Sequence, residues 1–277
     1  MSRRPAESFI QTSRGAFRAL TWGTGEADET ALLLHGLTAV AEVWGPVATN
    51  IAPPRRLVAI DQRGHGDSPH DGPYTVGAFV RDTKSIIDVI GAPVHLVGHS
   101  MGARVAIAFA ARYPRLLRSV VVADIGVEAS ARNIRETRDG IQRMPPAFEN
   151  EDAAIAFAFR QRAPGADERD VFLARLRQRN GGGLEWRGSP EAMVRIVEAH
   201  RSRSYWKEWR SIAVPALFVH GGRSREVSQR IADRMRDSNP AVRYLQFPEA
   251  PHNIPLATPE RLAEELAAFW SAAERRT

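Results

Sequence analysis

The chain of 277 residues contains no cysteine. That absence excludes disulfides, thiolate metal sites and a cysteine nucleophile together. Lysine is nearly missing as well: of 38 basic residues only Lys84 and Lys207 are lysines, so arginine carries the net charge of +6. The arginines are interleaved with acids, as in Arg230–Asp237 and Pro259–Arg276, and form no compact basic stripe. A nucleic-acid partner is therefore not expected. No apolar run approaches the roughly 20 residues that a membrane helix needs. None follows the basic start Met1-Ser2-Arg3-Arg4-Pro5, so neither a span nor a secretory signal is expected, and the expected location is cytoplasmic. No G-x-G-x-x-G follows the first apolar run and no histidine–carboxylate spacing suggests a metal site, so no cofactor is expected. Internal repeats and low-complexity tracts are lacking too.

What is present is 43% hydrophobic residues, enough to bury a sizeable core. Phe9 to Trp22 reads as a hairpin turning at Thr12-Ser13-Arg14-Gly15. Short apolar runs follow at Ala31–Leu34, Leu57–Ile60, Val94–Val97, Ser119–Ala123, Ala216–Val219 and Val242–Phe247. Helical periodicity lies between them, at Val76–Ile90, Met101–Arg112, Val227–Arg236 and Pro259–Ala273. The last of these has Thr258 as expected N-cap, with Pro259 in the first turn and Glu260 beside the helix dipole. Apolar strands alternating with helices predict an α/β fold, a mostly parallel sheet covered on both faces.

The alternation fails between Glu128 and Ile212, where no strand is predicted and amphipathic helical pieces appear at Ala131–Met144, Asp152–Arg162, Asp167–Arg179 and Pro190–Arg201. Prolines and the triplet Gly181-Gly182-Gly183 separate them. Such an insertion reads as a helical cap, giving a core of residues 1–126 and 213–277 and a cap of residues 127–212. Ligands of open α/β sheets bind at the C-terminal ends of the strands.

Gly98-His99-Ser100-Met101-Gly102 has the form G-x-S-x-G between a predicted strand and a predicted helix. A serine in that tight turn projects its hydroxyl from the sheet, and the glycines leave room for the turn. Ser100 is thus the candidate nucleophile. It needs a base within hydrogen-bond reach, and His252, in the loop Pro248–Asn253 after the last strand, is the best candidate. A lone histidine is more often a surface or satisfied core residue. This one precedes the final helix, in a loop beyond a strand's C-terminal end that can return to the site holding Ser100. His99 is expected to point away from the site and to pack or hydrogen-bond locally, and His35 to brace its loop. Asp61–Ser68 reads as a structural turn.

With His35-Gly36 after an early strand, Asp61-Gln62-Arg63-Gly64-His65-Gly66-Asp67-Ser68, the Ser100 elbow and the His252 loop, the chain resembles the α/β-hydrolases over nearly its whole length. That resemblance implies an eight-stranded, mostly parallel sheet with helices on both faces and an inserted helical cap. It also implies hydrolysis through an acyl-enzyme, with the triad in the order serine, acid, histidine. Many relatives carry the acid in a Gly-x-x-Asp turn. Here Val219-His220-Gly221-Gly222-Arg223-Ser224 places Ser224 at that position, and the next carboxylate is Glu226. Other relatives place the acid at the end of the preceding strand, where Asp124 follows Ser119–Ala123. Asp124 is the first candidate and Glu226 the alternative. The acid fixes the histidine tautomer and stabilises its cation. The oxyanion donors are expected to be the N–H groups of Met101 and Leu37.

The implied substrate is a small carboxylic ester or lactone, with no cofactor. Amidase, thioesterase and perhydrolase chemistry would share the machinery, as would carbon–carbon hydrolysis of dienoic ketones. Dehalogenases and epoxide hydrolases need a carboxylate where Ser100 stands. A non-catalytic ligand receptor on the same fold is the remaining alternative. Trp44, near the oxyanion loop, is the first candidate to line an apolar pocket, followed by Trp186, Trp206 and Trp209. Oligomeric state is not legible.

Overall fold

The computed structural model describes residues 4–23, 29–51 and 55–275. The basic Met1–Arg3 stretch noted above and Arg276 lie outside the described residues. Eight strands form one sheet: β1 (Ala6–Thr12), β2 (Gly15–Trp22), β3 (Thr30–Leu34), β4 (Arg56–Ile60), β5 (Val94–His99), β6 (Leu117–Ala123), and two later strands separated from these by the insertion. The insertion contains β7 (Ala147–Phe148), β8 (Leu176–Gln178) and β9 (Leu184–Trp186), after which β10 (Ala216–Gly221) and β11 (Val242–Phe247) complete the large sheet. Its order is β1-β2-β4-β3-β5-β6-β10-β11. The pairs β1–β2 and β2–β4 are antiparallel and the rest parallel. The expected α/β class and mostly parallel sheet are borne out.

Every residue of β3, β5 and β10 is buried, as parallel strands covered on both faces require. Alternate residues serve opposite faces: Leu32, Leu34, Val120 and Val122 join one apolar cluster, and Ala31, Leu33, Val121 and Ala123 the other. The first cluster is covered by the helices Val76–Ile90, Met101–Arg112, Trp206–Arg210 and Gln229–Ser238, the second by Ile254–Ala257 and Pro259–Glu274. Met101–Arg112 is buried along almost its whole length, which explains its alanine-rich sequence. Thr75 begins Val76–Ile90 by accepting from Ala78 N at 3.2 Å. Thr258 differs from expectation: its hydroxyl donates back to the Ile254 carbonyl at 3.3 Å rather than capping the last helix. The short helix Ile254–Ala257 ends immediately before it and supplies that carbonyl.

Between β6 and β10 the chain forms helices at Ala131–Gln142, Glu151–Ala158, Ala166–Leu173 and Pro190–His200. Ser130, Asn150 and Ser189 cap three of them by accepting from the third residue on. The expectation of an insertion without strands is corrected here. β7, β9 and β8 make a small antiparallel sheet, and the helix expected over Asp167–Arg179 ends at Leu173. Gly181, Gly182 and Gly183, at φ of 95°, 99° and 80°, turn β8 back on β9; only glycine adopts three such conformations in succession without strain. Strands of two and three residues carry too little alternation to be seen in sequence. Phe148, Ala154, Phe172, Leu176, Leu184 and Trp186 form the insertion's own apolar cluster.

An arginine ties this insertion to the sheet. Arg187 donates to Asp67 at 2.6 Å, lies 3.5 Å from Asp61, and holds the Ala174 carbonyl at 2.8 Å. Asp61 is fully buried and also accepts from Arg18 and from Ala41 N. The Asp61–Ser68 turn thus supports the insertion.

Candidate active site

Ser100 sits between β5 and the helix Met101–Arg112 with φ 53° and ψ −116°. A side chain built on Gly98 would lie 2.3 Å from the Gly102 carbonyl oxygen, and one on Gly102 would lie 2.3 Å from that of Leu34. The two glycines of the pentapeptide are therefore demanded by backbone crossing on both sides of the serine. Ser100, Asp124 and Thr38 are the non-glycine residues with positive φ among the described residues. All three lie at the C-terminal edge of the sheet, in line with the tendency of backbone strain to gather at working sites.

β5 and β6 are neighbours in register, His99 opposite Ala123, so the residues that follow them, Ser100 and Asp124, emerge side by side. His252 reaches both from the loop after β11. Its Nε2 lies 3.0 Å from Ser100 Oγ and its Nδ1 2.6 Å from Asp124 Oδ2. Asp124 is fully buried and its second oxygen accepts from Gly221 N at 2.9 Å. With a carboxylate on Nδ1, the Nδ1–H tautomer is held and Nε2 is free to accept the serine proton.

The alternative acid is elsewhere. Glu226 is bound to Arg201 at 3.1 Å, and Ser224 Oγ accepts from Glu226 N. No contact joins either residue to His252 among the described residues.

Leu37 and Met101 flank the serine. A side chain on Gly36 would meet Ser100 Cβ at 3.1 Å, which places the Leu37 turn against the nucleophile. Neither the Leu37 nor the Met101 amide donates to a protein acceptor among the described residues. Both are thus available for a developing oxyanion at a helix N-terminus.

His35 is buried, and burial pushes its pKa down to about 4. The neutral ring accepts from Gln62 N at 3.0 Å, so its other nitrogen donates to the Gly36 carbonyl at 2.7 Å. His99 differs from expectation. Its ring Nε2 donates to the His252 carbonyl at 2.8 Å, and its ring lies 4.9 Å from that of His252. Burial first, and His252 second, lower its pKa to about 4, so it stays neutral. A contact between residues so far apart in the chain leaves no sequence signal.

Above Ser100 lies a cavity of about 650 Å³. Its floor is Gly36, Leu37, His99, Ser100 and His252; its roof comes from the insertion, including Ile141, Met144, Phe157, Phe159, Phe172 and Trp186. Trp44 is corrected here: it is fully buried in the apolar cluster beneath the sheet and does not line the cavity. It ends a 3-10 turn, Ala41–Trp44, whose successive side chains diverge by about 120°, and Val43 faces the cavity instead. Trp209 and Trp206 are likewise away from it, with their indole N–H groups bound to the Met235 carbonyl and to Glu128. Trp186 does line it. The rest of the insertion's aromatic wall and Arg175, on the same cavity, were missed, because the periodicity of each short helical piece reports its own buried face and not which pieces share a cavity. Among the described residues no cluster of three or more His, Asp or Glu side chains is arranged to hold a metal ion.

The profile of the alpha/beta hydrolase family matches residues 31–265. The chain belongs to that family. It is 30% identical over 247 residues to a 2-(acetamidomethylene)succinate hydrolase of Mesorhizobium japonicum, covering 87% of each chain. It is 32% identical over 196 residues to Lipase LipV of Mycobacterium tuberculosis, covering 67% of this chain and 69% of that one. The crystal structure of an E-2-(acetamidomethylene)succinate hydrolase superposes with a TM-score of 0.90 at 24% identity, over 96% of this chain and 99% of the other. This member of the family has hydrolases among its relatives, and its activity is that of a hydrolase. Among its described residues no helix is long and apolar enough to cross a membrane.

Proposed function

We propose that this hydrolase cleaves a carboxylic ester or lactone through an acyl-enzyme, with Ser100 as nucleophile, His252 as base and Asp124 as acid. The observation that carries the reading is His252 lying within hydrogen-bond reach of both Ser100 and Asp124 at the floor of the cavity. His252 Nε2 takes the Ser100 proton as Oγ attacks the carbonyl carbon. The N–H groups of Leu37 and Met101 receive the charge that gathers on the carbonyl oxygen. Collapse breaks the bond to the leaving alcohol, which departs with the proton from His252. A water molecule, deprotonated by the same ring, then attacks the acyl-Ser100, and the acid leaves as the proton returns to Oγ. Asp124 holds the ring and balances its positive charge in both halves. Residues 127–212 act as the cap that shapes the substrate cavity, and residues 1–126 with 213–277 as the core that carries the chemistry.

A second reading is cleavage of an acylamino carbon–nitrogen bond by the same steps. It is favoured by the relative named for an acetamido substrate, which covers 87% of this chain, whereas the lipase relative favours the ester. Hydrolysis of a chain-length series of p-nitrophenyl esters by the wild type and by Ser100→Ala tests the proposal. Turnover lost in Ser100→Ala by at least roughly 10³-fold, without loss of fold, is expected. Undiminished turnover in Ser100→Ala would remove the serine from the chemistry. Turnover of N-acyl amides but not esters would establish the second reading.

A further inference from the structure

Arg175 follows the helix Ala166–Leu173 and precedes β8, and it is the one lysine or arginine among the described residues that line the Ser100 cavity. Its guanidinium carbon lies 5.1 Å from the Phe172 ring centroid and 5.2 Å from that of Trp186. The cation thus lies against two aromatic rings, packed edge to face on each other, that also face the cavity. Its Nε is buried with no hydrogen-bond partner, and no acidic side chain pairs with it among the described residues. Several other arginines of the insertion do have acidic partners, among them Arg162 with Glu168, Arg169 with Glu151, Arg177 with Glu185 and Arg187 with Asp67. The two acids on the cavity wall are committed to other groups, Glu136 to Arg132 and Glu168 to Arg162 and the Gly165 amide. Burial lowers the Arg175 pKa only to about 10, so the group remains a cation at neutral pH. Arg175 is half-buried, and a cation partly withdrawn from water without a counter-ion costs free energy. A planar fork of N–H donors matches a carboxylate.

We propose that Arg175 is the anchor for a free carboxylate on the substrate, so that the enzyme prefers ester or acyl substrates carrying a second, anionic group away from the scissile bond. This inference rests on the reading of Ser100 as the nucleophile. Phe172 and Trp186 hold the guanidinium by stacking, and the aromatic wall receives the apolar carbons between the two groups.

The test pairs mono-p-nitrophenyl esters of the C4 to C8 straight-chain diacids with the p-nitrophenyl esters of the monocarboxylic acids of equal length. At one diacid length the wild type is expected to favour the anionic ester in kcat/KM, and added NaCl to shrink the preference. Arg175→Gln is expected to lower kcat/KM for that ester by roughly 10- to 100-fold, mostly through KM. Arg175→Lys should keep part of the preference, and the neutral esters should report that the fold and Ser100 are intact in both variants. Absence of any preference in the wild type, or an equal preference in Arg175→Gln, would overturn the anchor while leaving the serine hydrolase standing. If no ester is turned over, the ester reading fails separately. Calorimetric titration of the wild type and Arg175→Gln with the free C4 to C8 diacids then decides the anchor alone: binding lost in the variant supports it, and equal or absent binding overturns it.

Discussion

The ring of His99 donates to the backbone carbonyl of His252 at 2.8 Å, so the residue just before the candidate nucleophile holds the loop of the candidate base. Among the described residues the other hydrogen bond from the elbow to that loop joins Ser100 Oγ and His252 Nε2 at 3.0 Å. Because burial keeps His99 neutral, the bond does not switch with pH near neutrality. It fixes the height of the His252 loop above Ser100 while leaving both His252 nitrogens for Ser100 and Asp124.

Removing that tether should misplace the base. His99→Ala is expected to lower kcat by roughly 10- to 100-fold, since a displacement of about an ångström at a reacting group costs that much, with KM little changed. His99→Gln, which keeps an N–H donor, should recover part of the loss. Steady-state kinetics of both variants check this; equal losses, or a loss confined to KM, would show that the ring only fills space.

Asp124 and Glu226 separate cleanly in space, and their variants should separate in rate. Asp124→Asn is expected to lower kcat by roughly 10⁴-fold, because an amide presents the wrong hydrogen-bonding partner to Nδ1. Glu226→Gln, whose parent carboxylate faces Arg201, should stay within about threefold of wild type. Comparable losses in the two variants would return Glu226 to the mechanism.

Acid should unfold the protein early. Burial lowers the pKa of His35, His95 and His99 to about 4 and that of His200 to about 3. The same histidines in the unfolded chain titrate near 6.5. Between those values the unfolded state binds more protons, so stability is fully present above about pH 6.5 and falls as pH drops toward 4, by up to about 1.4 kcal/mol per pH unit for each ring. Urea unfolding at pH 7.5, 5.5 and 4.5 measures this slope. His200→Leu should reduce it by about one proton; an unchanged slope would mean that His200 is protonated in the folded state.

Much of this protein is legible along the chain, and the reason is locality. The strands β3, β5 and β10 are buried on both faces, so they appear as uninterrupted apolar runs. The glycines around Ser100 are required by backbone atoms within a few residues or one strand away, so the elbow is a compact pattern. Those features determined the fold class and nominated Ser100; His252 was nominated by its loop after the last strand and by the chain order of the family the sequence resembles. The resemblance ranked Asp124 before Glu226 but showed the contact of neither. The pairing of β5 with β6 brings Asp124 beside Ser100 and within reach of His252, and that placement exists only in the tertiary structure. The fate of Trp44 was decided by one residue's phase in a 3-10 turn. The tie from His99 to His252, the triglycine hairpin and the unpaired cation at Arg175 are contacts or absences of contact between distant or very short segments. Periodicity carries no record of these, because it reports which face of an element is buried and not what that face meets.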